Sequence, residues 1–254
     1  MKFTQVCVAM SFALAIVCAP LARAACGNAS INGTYGILST GLNGSLQPAS
    51  SLNQIKVDGL GHLAGTATKS INGSIVTYTF KGTYTIGTNC TGTAAFTNQN
   101  NQTEHDKIYL NSANLSGLYT GGFLIQTDSN HVQSSIAMNQ GAVTCTDLGL
   151  KHAYSFQATG TDLGTGQVAS AGRVTLNGTG GITGSATLSL AGTIHSSVAL
   201  NGSYTVNSDC TGSASITPSG FPTSHWNLVA VNGGQEMMAI QTDADTIVTA
   251  TFQQ

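Results

Sequence analysis

Charged side chains make up 7% of this chain, so acid–base or metal chemistry would have to come from very few residues. Asp128 and Asp243 are acidic residues at matching places in two IQTD segments, 125–128 and 240–243. A pair of carboxylates can act as general acids or hold a cation. An Asp that ends a strand more often accepts backbone N–H bonds in a turn, and that plainer role is the one expected here. Asp245 would add a weak calcium-like partner to Asp243, but Asn130 stands at that place in the first segment and no liganding loop spacing follows. The histidines at 62, 105, 131, 152, 195 and 225 lie at no zinc-ligand spacing, and none is read as recurring between the two segments. The triplet Glu104-His105-Asp106 follows the polar run 98–102 and reads as a solvated loop. A nucleophile elbow, a phosphate-cradling glycine loop and an H-E-x-x-H pattern are all missing. The sequence therefore supplies no catalytic residue, no metal ligand set and no cofactor site.

Aromatic residues are the next candidates. Tyr35 and Tyr154, like Tyr84 and Tyr204, occupy corresponding positions and could line a ligand cavity with their hydroxyls turned inward. The plainer alternative makes them core or barrel plugs. Trp226 alternates with Leu228 and Ala230 and reads as core, with His225 on the opposite face. Glu236, beside Gly233-Gly234, reads as part of a surface turn.

The elements that would position these residues come from a duplication. Cys26 and Cys145, Tyr35 and Tyr154, and the segments 57–68 and 176–187 align at an offset of 119. One inserted residue makes the offset 120 for Gly82/Gly202, Tyr84/Tyr204 and Cys90/Cys210, and it is 115 for the two IQTD segments. The chain divides into residues 1–24 (a leader), a first repeat 25–138, a join at 139–144 and a second repeat 145–254. Each repeat has an ordinary domain length of about 110 residues.

Within each repeat the pattern is β. Val248, Ala250 and Phe252 alternate with Ile247, Thr249 and Thr251, as in a half-buried strand. Asn72-Gly73, Asn177-Gly178, Asn201-Gly202 and Asn232-Gly233 are hairpin signals, and Asp58-Gly59 takes the place of Asn177-Gly178 in the first repeat. The phrases GTYTIGTNCTG (82–92) and GSYTVNSDCTG (202–212) read as strands that begin at a Gly and end at a Cys. About eight short strands per repeat, arranged as an antiparallel meander, favour two tandem closed barrels, with sandwiches as the alternative.

Lys2, the apolar run 6–17 and Ala22-Arg23-Ala24 form a secretory signal, so the mature chain is expected to be secreted or periplasmic with no membrane anchor left after cleavage. Four cysteines then remain, and in an exported chain they read as disulfides. Cys26–Cys90 and Cys145–Cys210 is preferred among the three connectivities because it repeats with the domain. Closing a loop of that length contributes roughly 4 kcal/mol in the chain-entropy picture. Without Lys2 and Arg23, six of the eight basic residues face ten acidic ones, and no basic run tracks a phosphate backbone. Nucleic acid is not an expected partner.

The pattern G-x-Y-T-x-x-x-x-C-T-G, followed by an apolar strand and I-Q-T-D, resembles repeats in secreted bacterial proteins that look like small lipocalin-like or allene-oxide-cyclase-like β-barrels. The resemblance covers most of both repeats and implies a fold; no cyclase residues carry over. The function expected is a secreted, non-enzymatic barrel protein that binds a small apolar or amphipathic ligand or a partner surface. Two alternatives stand beside it: a cell-surface adhesive protein using Thr-rich strand faces, for which Thr249 and Thr251 are the motive, and a barrel isomerase or cyclase with a buried Tyr–Asp hydrogen bond.

Overall fold

Alternating side chains and short Gly- and Asn-rich connections leave the chain one economical way to satisfy its backbone, a meander closed on itself. The structure, a computed structural model, describes residues 25–111 and 118–254; the leader expected at 1–24, with Cys7 and Cys18, lies outside them. The first barrel comprises β1 (Gly33–Leu42), β2 (Pro48–Val57), β3 (His62–Ile71), β4 (Ser74–Ile86), β5 (Thr91–Asn98), β6 (Thr103–Leu110), β7 (Gly121–Gln126) and β8 (Val132–Asn139). The second comprises β9 (Ala153–Asp162), β10 (Gly166–Leu176), β11 (Gly181–Leu190), β12 (Thr193–Val206), β13 (Thr211–Pro218), β14 (Ser224–Val231), β15 (Glu236–Gln241) and β16 (Thr246–Gln253). Each strand pairs antiparallel with its sequence neighbour, and β8 and β16 close onto β1 and β9. The fold is all-β, two eight-stranded barrels from one duplicated unit.

The two length differences between the repeats have local structural meanings. In the second barrel the β11–β12 register slips between Ala186 and Leu188, and Ser197 takes φ 56°. The inserted residue is thus a β-bulge, which adds a residue to one strand without breaking the ladder. The later shortening falls in the β6–β7 connection, where Tyr119 of the longer first-repeat loop sits on the disulfide.

Cys26–Cys90 and Cys145–Cys210 are both formed and tie the segment before each barrel to the β4–β5 or β12–β13 turn. Cys90 and Cys210 sit at φ 63° and 69°, the left-handed turn position that aims each sulfur back at its partner. Gly82 and Gly202 lie inside β4 and β12 and do not start them. A Cβ at either would meet the carbonyl oxygen of Ala95 or Ser215 at 1.9 or 2.1 Å, so these glycines permit close strand approach. For the same reason Asn201-Gly202 is no hairpin; the turn falls at Ala191-Gly192, which carry φ 47° and 87°.

The barrels dock through their outer surfaces. Leu38 and Leu52 of β1 and β2 meet Val229, Val231, Met238 and Ile240 of β14 and β15 in a separate buried cluster. Asn227 Nδ2 donates to Thr68 Oγ1 at 2.9 Å, and Ser70 Oγ donates to the Thr246 carbonyl. The N–H of Asp245 donates to Gly73 O at 2.9 Å near one end, and that of Gly233 to Gln140 O at 2.7 Å near the other. The barrels therefore lie side by side with their non-disulfide ends facing the same way. This contact corrects the half-buried reading of β16, because residues Thr246 to Ala250 are buried on both faces. Thr249 is only 5% exposed and Thr251 is half-buried, so this row offers no open threonine array for adhesion.

Gly36 of β1 lies under this contact. A Cβ there would stand 2.8 Å from Val231 Cγ1 and 3.1 Å from Val229 Cγ1. Gly36→Val is expected to cost about 1–3 kcal/mol through overpacking, with strand content unchanged. Urea unfolding of the variant beside the parent protein measures this as a lower midpoint.

Candidate functional site

Strand parity sends alternate residues inward, and in the first barrel the inward set changes character along the axis. Toward the disulfide end it is apolar: Ile55, Val57, Leu63, Tyr84, Ile86 and Ile108 are buried together. The four tyrosines singled out above belong to this packed end of each barrel. Tyr35 OH donates to Tyr119 O at 2.8 Å and Tyr154 OH to Gly234 O at 2.8 Å. Tyr84 OH reaches the carbonyls of Asn28 and Ile31 at 3.3 Å, while Tyr204 OH donates to Asp147 O and accepts from the Gly178 N–H. Burial raises the pKa of all four phenols. Their geometry is that of plugs, each tied to the backbone that crosses the barrel floor, and not of ligand-facing hydroxyls.

Toward the open end the first barrel turns polar. Lys69 on β3 reaches Glu104 on β6 at 2.7 Å, an ion pair between strands that are not neighbours and so a strut across the lumen. The lysine side chain is 7% exposed and the glutamate 41%. Below it a cavity of about 50 Å³ is bounded by Ser39, Asn53, Phe80, Asp106, Gln126 and Gln133, among others. It shares Tyr78, Asn98, Gln102 and Glu104 with a mouth of about 680 Å³ that opens to solvent between the loops. The Gln126 Oε1 and Gln133 Nε2 atoms are buried without hydrogen-bond partners among the described residues. Burial, reinforced by the charges of Glu104 and Asp128, pushes the Asp106 carboxyl up to about 7, with Lys69 and His105 pulling the other way. A carboxyl of that kind can exchange a proton at neutral pH.

This corrects the reading of Glu104-His105-Asp106 as a loop. The triplet lies within β6, and alternation sends Glu104 and Asp106 inward and His105 outward. The signal was available in the duplication. At the same offsets, Lys69 corresponds to Leu188, Glu104 to Ser224, Asp106 to Trp226 and Gln133 to Val248. Lys69, Asp106 and Gln133 put polar groups at inward places where the second repeat has Leu188, Trp226 and Val248, and Glu104 is answered by the uncharged Ser224. The second lumen is accordingly more apolar: Val174, Leu176, Ile182, Trp226, Leu228 and Met237 surround an inner space of about 20 Å³. A mouth of about 510 Å³ at the open end is lined by Leu188, Leu190, Phe221, Trp226 and Val248, with Asp162 and Asp243 among others. Trp226 is turned inward as expected, its Nε1–H donating to Ser224 Oγ at 2.8 Å.

Asp128 and Asp243 do accept backbone N–H bonds, but from a neighbouring strand. Asp128 takes the N–H of His105 at 2.8 Å and meets its Nδ1 at 2.7 Å; Asp243 does the same with His225 at 2.9 and 2.7 Å. His105 and His225 are thus repeat partners at an offset of 120, contrary to the view that no histidine recurs. Gln126 and Gln241 each add a side-chain bond to the same Asp. Burial raises both carboxyls, but these hydrogen bonds outweigh it and leave them lowered. The repeated Asp is a clasp between adjacent strand ends. Asn130 and Asp245 hold the same turn position, each at φ 64°. Among the described residues no group of His, Cys, Asp and Glu is arranged to hold a metal, and no helix is long and apolar enough to cross a membrane.

Kievitone hydratase from Nectria haematococca is similar in structure over 88% of this chain and 89% of its own, at 10% identity and a TM-score of 0.26. That score is too low for the likeness to bear on the site. No protein-family model matches the chain, and no curated protein does.

The folded protein keeps the Asp106 proton up to about pH 7, whereas an unfolded chain releases it near the ordinary 3.8. The contribution of Asp106 is therefore full below the unfolded value and is lost as pH rises from about 4 through about 7. Asp106→Asn is expected to remove that part of the pH dependence. Urea unfolding at the two ends of this window, with carboxyl ¹³C titration of the parent, checks both the slope and the midpoint.

Proposed function

We propose that the protein is a small-molecule-binding barrel protein of an oxidising, extracytoplasmic compartment, with its ligand held in the open half of the first barrel. One observation carries this reading. Asp106, Gln126 Oε1 and Gln133 Nε2 face a cavity of about 50 Å³ without protein partners for the two amide atoms. Buried polar atoms left unpaired cost about 1–3 kcal/mol each, and a bound polar group would relieve that cost.

The geometry favours an amphipathic ligand over a wholly apolar one. Its polar end would offer a donor to Asp106 and Gln126 Oε1 and an acceptor to Gln133 Nε2. Its body would lie against Tyr78, Val76 and Ile71 in the mouth. The two disulfides and the leader-like start of the chain support export.

Asp106 favours a second reading, in which the same site moves a proton on its ligand. The one Tyr–Asp hydrogen bond of a buried tyrosine among the described residues, Tyr204 OH to Asp147 O, ends on a backbone carbonyl and not on a carboxylate, so this reading rests on Asp106 and not on the tyrosines.

Native mass spectrometry of the protein from its own host tests the binding reading. A small adduct that falls away on denaturation is expected, and it should be lost in Asp106→Trp/Gln133→Val, which installs the residues the second barrel already accommodates. A parent protein with no adduct, or an adduct that survives the double variant with circular dichroism unchanged, would sink it. Returning the released ligand to fresh protein in D₂O separates the two readings. Deuterium uptake that disappears in Asp106→Asn marks catalysis, and binding without uptake marks a carrier.

A further inference from the structure

The barrel–barrel contact uses a different face of each repeat, so one copy of the face that the second repeat uses is left over. The second barrel docks through the outer positions of β14–β16, among them Val229, Met238, Ile240 and Ile247, all buried. At offsets of 120 and 115 their counterparts in the first barrel are Tyr109, Phe123, Ile125 and Val132, and Thr251 corresponds to Ile136. All five are exposed, Phe123 and Val132 at 60% and 61%. The repeat has kept this face apolar, and made it more so at Ile136, where nothing among the described residues covers it.

The five residues form one continuous patch. Tyr109 is opposite Phe123 in the β6–β7 pair, and Phe123 is opposite Ile136 in the β7–β8 pair. Ile136 in turn is opposite Leu38 in the β1–β8 pair, and Leu38 is already buried against the second barrel. The patch therefore runs on from the edge of the established interface. A contiguous apolar surface of this kind on a secreted domain marks an interaction site.

Two occupants from a second copy of this chain could be considered, and the surfaces distinguish them. A head-to-tail contact would set the patch against β9–β11, the second repeat's counterpart of the face that β1–β3 present. That face has Gln157 where the first repeat has Leu38, Ala171 where it has Leu52, and Arg173 where it has Gln54. Its docking hydrocarbon is gone, and a charge has been added. The patch itself carries one charged neighbour, Lys107, across from Ile125 on its upper edge. We propose that the β6–β8 face of the first barrel pairs with the same face of a second chain, giving a closed two-fold dimer. The barrel mouths remain open in this arrangement, because the patch lies on the outer wall.

Sedimentation velocity of the full secreted chain, from micromolar to millimolar concentration, tests the pairing. A species of twice the mature mass is expected. Phe123→Lys and, separately, Val132→Glu should weaken self-association more than tenfold with circular dichroism unchanged, as changes at the centre of an interface do. Ala171→Asp, on the β9–β11 face, should leave the dimer intact. A parent protein that stays monomeric throughout, or a dimer that survives both patch variants, would overturn the proposal. So would a dimer lost only in Ala171→Asp, which would assign the contact to the head-to-tail arrangement.

Discussion

Pairing β1 with β8 and β9 with β16 closes each sheet, and closure decides, through strand parity, which side chains compete for a lumen of fixed width. With no edge left, a residue faces either the lumen or the exterior, and a shift of one place exchanges the two. The disulfides and the tyrosine plugs act within that constraint. They fix the segment that seals one end of each barrel, through Asn28 Oδ1 accepting the Ile86 N–H and Asp147 Oδ1 accepting the Val206 N–H at the equivalent place. One end is thereby filled in both repeats. Differences between the two copies are left to the other end and to the outer wall.

Much of this is legible in the sequence. The offsets exposed the duplication because the anchors that define the unit, Cys26/Cys145 and Cys90/Cys210, are fixed by a covalent bond that tolerates no drift. Strand number followed from alternation and turn chemistry, which are local. The lumen chemistry was harder to read. Glu104 and Asp106 sit beside Gln102, Thr103 and His105, and a polar run looks the same whether every residue is solvated or alternate ones point into a barrel. Only placing Asp106 against Trp226 discloses the inward position. Asn201-Gly202 misled for the opposite reason. Its residues have turn chemistry, but pairing on both sides holds β12 straight through them, and tertiary context overrides local preference.

The contact between barrels depends on one exchange of properties. β1–β3 present Gly36 and Ser70 at close approach, beside Leu38 and Leu52, to the apolar side chains of β14–β16. Neither face is recognisable as an interface from alternation alone, since β16 keeps its period of two while being covered on both sides. A buried Thr249 shows the consequence, because a threonine on an outward position reads as solvent-facing until a second domain is placed on it.

A closed lumen sets packing against function directly. Lining it with hydrocarbon, as Leu188, Trp226 and Val248 do in the second barrel, buries apolar surface and, among the described residues, leaves no buried side-chain polar atom of that barrel unpaired. Keeping Lys69, Asp106 and Gln133 at those places in the first forfeits that gain and adds the cost of desolvating a carboxyl and two amide atoms. A lone barrel of about 110 residues has little stability to give up, on the order of 5–15 kcal/mol. Here the polar barrel does not stand alone. Its β1–β3 wall is covered by a neighbour with a fully apolar core, and the cluster of Leu38, Leu52, Val229, Val231, Met238 and Ile240 joins the two. Duplication thus separates two demands that one lumen cannot meet together: one copy keeps an apolar lumen, and its contact with the other offsets what the polar site costs.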